Sequence, residues 1–167
     1  MVKSMLAHHD QSVHNMLPIW SHYSNENWCM VGYHSVSVIA DAYTKGVMDF
    51  DINRALTAAI NTSTVSYYDG LGSYMEYGYV PEDEDHYSVS KTLEYSYNDW
   101  CISQLAKAAN AVSEYENYQE RSENYKNVFD SISGYMRPRL ANGSWRENFD
   151  PMDTHGQGFI EGNAWNY

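Results

Sequence analysis

The feature that most constrains this chain is the stretch Val89 to Ala108, where Val89, Leu93, Tyr97, Trp100, Ile102, Leu105 and Ala108 keep apolar residues returning at helical spacing over about six turns. Ser88 or Ser90 can open this helix and Asn110 can close it. A helix of that length draws its stability from packing, so other helices must surround it. No other run has the alternation needed for a strand of a central sheet, and the chain reads as all-α, with paired antiparallel helices joined by long polar and aromatic loops.

The partners are legible on either side. Met1, Met5 and Leu6, then Val13 and Met16, predict a short helix over residues 1–16 that ends before Pro18. Val36, Ile39, Ala40 and Tyr43 form a helical stripe that stops at Lys45-Gly46, a basic last turn followed by glycine. Asp51 is placed to cap a further helix, Ile52 to about Asn61, with Leu56, Ala59 and Ile60 on its apolar side. Residues 62–87 hold turn dipeptides and the acidic run Glu82, Asp83, Glu84, Asp85, which lacks the glycine and alternating ligands of a calcium loop and reads as a solvated charge run. After the long helix, Ser113 with Glu116 matches a capping box, and Tyr115, Tyr118, Tyr125 and Phe129 carry a helix that stops before Gly134. Asn142-Gly143 favours a small β-hairpin. A last helix is expected to begin near Gly162.

Charge narrows the partners. With 22 acidic against 10 basic residues the formal net charge is -12, which disfavours a phosphate backbone or an anionic membrane, so nucleic acid is excluded as a partner class. No run of about 18 apolar residues provides a membrane span, and the first residues lack the apolar core of a signal peptide. Cys29 and Cys101 have no metal-ligand spacing and read as buried free thiols. His8, His9 and His14 lie near the first helix, where adjacent residues point to different faces, so they read as solvated rather than as a metal site.

The chemistry concentrates at Phe159 to Tyr167. There one carboxylate, Glu161, stands among glycine, the amide of Asn163 and the ring of Trp165. These are the parts of a sugar site: an aromatic face covers the apolar side of a pyranose, an amide bonds its hydroxyls, and a carboxyl in partly apolar surroundings suits a general acid. The 16 Tyr and 5 Trp against 4 Phe supply aromatic walls with polar handles. Leu17 to Val31 is a polar and aromatic connection long enough to line something.

Several blocks in order then carry a resemblance. Leu17-Pro18-Ile19-Trp20 and Cys29-Met30-Val31-Gly32-Tyr33-His34-Ser35 through Ala40-Asp41-Ala42-Tyr43 to Lys45-Gly46 form the first; Tyr79-Val80-Pro81 and Ser88 through Trp100-Cys101 follow. Tyr125-Lys126-Asn127, Met136-Arg137-Pro138-Arg139 and Glu161-Gly162-Asn163-Ala164-Trp165 complete them. Together they resemble the catalytic domain of glycoside hydrolase family 92, the calcium-dependent exo-acting α-mannosidases.

That resemblance implies an (α/α)6 toroid of which residues 1–167 form a partial catalytic domain, roughly its first half, without the N-terminal β-sandwich and the C-terminal half. It implies removal of terminal mannose from glycans, of the α-1,2 type, by inversion, and puts the general acid on Glu161. It puts the base downstream of this chain, so that the fragment alone is inactive, and implies Ca2+ with ligands outside the chain. The family is mostly secreted or periplasmic. Asn163, Trp165, Glu26 and His34 are the candidates for sugar contact; a hydrogen bond to a helix end is the competing reading of His34, and a surface ion pair that of Asp41. Glu94 and Asp99 read as structural, and Arg137 and Arg139 as partners of the acidic run or of a loop carboxylate. A non-catalytic helical carbohydrate-binding module, or a relic, is the alternative to an enzyme.

Overall fold

A computed structural model describes every residue except Ser24 and His155. Its elements are α1 (Val2–Gln11), β1 (Ser21–His22), β2 (Asn25–Glu26), α2 (Ser35–Thr44), α3 (Ile52–Thr62), α4 (Leu71–Tyr77), α5 (Ser88–Ala108), α6 (Val112–Arg121), a 3-10 helix (Ser122–Val128), β3 (Phe129–Asp130) and β4 (Tyr135–Met136).

α5 is the axis of the fold. It buries Val89, Ile102 and Leu105, but also Lys91, Asn98 and Asp99, so it is enclosed on several sides rather than along one stripe. α6 packs against it antiparallel: Gln119 donates to Ser103 at 2.6 Å, and two residues on, Arg121 reaches Asp99 at 3.0 Å. α2 runs beside it in the same direction. Its start meets α5 where Asn98 faces His34 at 3.1 Å, and further along the two helices flank a groove of about 700 Å³ lined by Ala40, Tyr43, Tyr97, Trp100 and Leu105.

Local chemistry explains most boundaries. Asp51 caps α3 as expected, accepting from the amides of Asn53 at 2.9 Å and Arg54 at 3.2 Å. α1 stops at Gln11, well short of residue 16, because Ser12 is extended and its hydroxyl takes the amide of His14 at 3.2 Å. α4 was hidden by its own punctuation: left-handed Gly70 and Gly78 bracket two turns that bury Leu71 and Tyr74. The Ser113–Glu116 capping box does not form. Left-handed Asn110 has already turned the chain, so α6 starts at Val112 with Ala111 as its cap residue. The helix then tightens into the 3-10 turn, which leaves Tyr125 and Phe129 exposed while Tyr118 is buried.

Strand content is small. β1 pairs with β2 and β3 with β4, both antiparallel. At Asn142-Gly143 the turn is present, Gly143 donating to the carbonyl of Leu140 at 2.8 Å, and its flanks meet in the single bridge Arg139 to Trp145.

The acidic run is only in part a solvated charge run: Asp83 and Glu84 are exposed, but all four carboxylates have protein partners. Glu82 pairs with Arg146, Asp83 accepts from the amide of Ala141 at 2.8 Å, and Glu84 accepts from Ser73 at 2.5 Å and Tyr77 at 3.0 Å. Asp85, with Asp69, holds buried Lys91 at 2.9 and 2.8 Å. Glu82 and Asp83 tie this loop to residues 141–146, and Glu84 and Asp85 tie it to α4 and α5. Arg137 pairs with Asp130 of β3 at 3.0 Å, rather than with the acidic run or a loop carboxylate, whereas Arg139 donates to the carbonyls of Gly143 and Asn127 and lies over the rings of Tyr79 and Trp145.

Candidate active site

The site is assembled around the first two turns of α5. Tyr87, which precedes the helix, is left-handed and offers no side-chain cap. The carbonyl of Gly158 does that work, accepting from the amides of Val89 at 2.9 Å and Ser90 at 3.1 Å. Only glycine fits there: φ is +83°, and a Cβ would sit 2.7 Å from the ring of Pro138. Ile160 then donates its amide to the hydroxyl of Ser90 at 3.1 Å, and Phe159 is buried in a small cluster with Tyr79, Val89, Val128 and Ala164.

Glu161 comes next. It is exposed, its backbone lies in the left-handed region at φ +53°, and its carboxylate has no partner among the described residues. Such a conformation costs a non-glycine residue on the order of 1 kcal/mol, and it is held here by the docked residues on its N-terminal side. Beyond it, residues 164–166 form a turn rather than the helix expected at Gly162. Asn163 shapes that turn: its amide donates to the carbonyl of Met152 at 3.0 Å and accepts from the amide of Trp165 at 3.1 Å. Trp165 is 66% exposed, its ring 6.4 Å from that of Tyr135.

One turn along α5 from Ser90, on the same face, stands Glu94, about 6 Å further along the axis. His34 meets it, with Nε2 at 3.2 Å from a Glu94 oxygen, and His34 also faces Asn98. The same helix face therefore holds both the segment that carries Glu161 and the segment that carries His34. Ser90, Glu94 and Asn98, at steps of four, put a polar stripe along this face.

Glu26 is placed differently from a sugar ligand. It is buried, and its two oxygens accept from the amides of Ile19 at 2.5 Å, Trp20 at 3.2 Å, Asn27 at 3.0 Å and Trp28 at 2.9 Å. One carboxylate thus organises the loop of residues 17–31 from within. It fixes Trp28, left-handed at φ +56° and 45% exposed, against the rings of His14, Tyr67 and Tyr68. Asp41 pairs at the surface with Lys45 at 2.8 Å.

The first-helix histidines are less solvated than their sequence suggests. His9 is buried between Asp10 and Asn61, His14 faces the hydroxyl of Tyr67 at 3.2 Å, and desolvation lowers the pKa of His8. Among the described residues no three His, Cys, Asp or Glu side chains form a metal cluster. With the 82–85 carboxylates engaged as above, the described side chains do not form a calcium cage.

The two thiols also separate. Cys101 is buried, and burial pushes its pKa up to about 11, whereas Cys29 is exposed rather than buried. A thiol-specific maleimide at neutral pH is expected to label Cys29 in the native protein and Cys101 only after denaturation, which mass spectrometry of the peptides would read. Native labelling of Cys101 would contradict this packing.

Comparison with known proteins defines the class. The glycosyl hydrolase family 92 catalytic domain matches residues 1–167, and the chain belongs to that family. A family 92 α-mannosidase from Bacteroides thetaiotaomicron is 47% identical, with a TM-score of 0.92 over 98% of this chain and 22% of its own. The same enzyme has been solved in complex with mannoimidazole. A family 92 inverting mannosidase from the same species is 32% identical with a TM-score of 0.88, over 99% of this chain and 23% of its own. A secreted glycosidase of Arthroderma benhamiae is 34% identical over 142 residues, 68% of this chain and 18% of that protein. The chain thus spans about a fifth of the length of these relatives. Its helices are part of the (α/α)6 toroid of the family. No helix among the described residues is long and apolar enough to cross a membrane.

Proposed function

We propose that residues 1–167 are a partial catalytic domain of an inverting exo-α-mannosidase that removes terminal mannose, in α-1,2 linkage, from glycans. The observation that carries this reading is the placement of Glu161: an exposed carboxyl with no partner among the described residues, presented in a left-handed conformation beside the start of the central helix. In this reading Glu161 protonates the glycosidic oxygen as the bond breaks. Trp165 lies against the sugar's apolar face, Asn163 holds the turn that presents it, and Glu26 and His34 organise the facing loop and helix start. A second carboxylate must activate water on the opposite face, roughly 6.5–9.5 Å from the acid. We assign it to a part of the enzyme outside this chain, together with the β-sandwich, the remaining helices and the calcium ligands. Bound calcium would hold sugar hydroxyls and favour ring distortion. The isolated chain is accordingly inactive. A secreted or periplasmic location is supported by the secreted relative.

The test is the stereochemistry of turnover. The complete enzyme with calcium, given an α-1,2-linked mannobioside, is expected to release β-mannose first, seen by proton NMR before mutarotation. Release of α-mannose, or activity of residues 1–167 alone, would overturn the reading.

A further inference from the structure

We infer that Glu94, on the second turn of α5, is a substrate-positioning residue that accepts a hydrogen bond from a hydroxyl of the bound pyranose. This rests on the mannosidase reading above. The geometry around Glu94 fixes which of its oxygens is available. Tyr33 donates its amide to the side-chain oxygen of Asn98 at 2.8 Å, which turns the Asn98 amide nitrogen toward Nδ1 of His34 at 3.1 Å. Nδ1 is then the accepting nitrogen and Nε2 carries the proton. Nε2 lies 3.2 Å from one oxygen of Glu94, close enough for an ion-pair contact. The other oxygen has no partner among the described residues, on a side chain that is only 33% exposed.

The arrangement is tightly built. A Cβ at Gly32, whose φ is +86°, would come within 2.7 Å of His34 Nε2 and 3.1 Å of the Asn98 oxygen, so the cluster closes onto a glycine. A buried asparagine, itself locked by a backbone amide, orients a histidine, and the histidine holds a carboxylate by one oxygen. Surface ion pairs are not supported in this way. The other oxygen is an acceptor with no donor among the described residues, and it shares a helix face with the segment that presents Glu161. A neutral polyol supplies the missing donors, since each sugar hydroxyl can donate one hydrogen bond to a carboxylate. The exposed ring of Tyr97, 6.5 Å from His34, adds an apolar flank. His34 in this account touches the carboxylate and not the sugar.

The experiment uses the complete enzyme with aryl α-mannoside and its 2-, 3-, 4- and 6-deoxy analogues. Glu94→Gln is expected to raise KM at least tenfold, with kcat within threefold and the melting temperature unchanged. For one deoxy analogue the same substitution should change KM less than twofold, because the donor hydroxyl is already gone. His34→Gln, which loosens the carboxylate, is expected to raise KM a few-fold in the same hydroxyl-dependent manner. An unaltered KM overturns the inference, and so does a loss confined to kcat or one spread evenly over all the deoxy substrates. Wild-type enzyme inert toward aryl α-mannosides would be the failure of the underlying reading, and would remove both.

Discussion

Replacing Asp99 by alanine is expected to destabilise the fold by about 3–5 kcal/mol, the usual range for breaking one side of a buried ion pair. The carboxylate is wholly buried and accepts from the hydroxyls of Tyr33 at 2.6 Å and Tyr74 at 2.9 Å, and from Arg121 Nε at 3.0 Å. Burial raises its pKa, against the pull of Arg121 and the two hydroxyls. Without the carboxylate, Arg121 keeps its charge between the rings of Tyr74 and Tyr118 and has lost the counter-charge that made it tolerable there. This network joins α5, α6, α4 and the residue before His34, so its loss loosens the frame of the site as well. Removing both charges, with Asp99→Leu and Arg121→Met, is expected to destabilise less than Asp99→Ala alone, because no ion is left unpaired. Urea unfolding of the two variants checks both statements. A loss below about 1 kcal/mol for the single variant would show that water reaches the pair.

Glu161→Gln is expected to lower kcat of the complete enzyme by about 10²–10⁴, the range for losing a general acid, without lowering thermal stability. The side chain is exposed and has no partner among the described residues, so its amide isostere disturbs no packing. The sign of an acid, as distinct from a binding carboxylate, lies in the leaving group. A dinitrophenyl mannoside departs without protonation and should recover most of the lost rate. Glu161→Gly offers a second check, since glycine accepts φ +53° without strain. That variant should be inactive yet as stable as the parent or slightly more so, the trade expected where backbone strain serves a site. Equal losses on good and poor leaving groups would remove Glu161 from the acid role.

Much of this was legible because the signals were local. Asp51 before Ile52 and the stripe Val36, Ile39, Ala40 each encode one element by themselves, and these elements are where the sequence places them. The failures were questions of partnership. Glu82 and Asp83 meet Arg146 and Ala141 from distant segments, and Glu84 and Asp85 meet Ser73 and Lys91 of the two flanking helices, meetings that no spacing rule announces. Glu26 reads as a sugar ligand when its own loop amides are out of sight. Glu94 reads as structural in the sequence, and it does meet His34 of a neighbouring segment, a partner that no spacing names. At the C-terminal stretch the carboxylate and the tryptophan were visible, but the left-handed backbone of Glu161 was not, since it follows from the docking of Gly158 and Ile160 onto α5.

That docking also sets an order of events during synthesis. The longest helix opens without a side-chain cap of its own, and its first amides await a carbonyl and a neighbour that lie some 70 residues further along. As the chain leaves the ribosome, α5 can wind and collect α2, α3 and α6, but its entrance stays frayed until Gly158 and Ile160 emerge. Glu161 follows at once behind them. The Glu161 carboxylate is therefore set in place by the act that closes the central helix, so a molecule with a finished helix start is also one with that carboxylate presented.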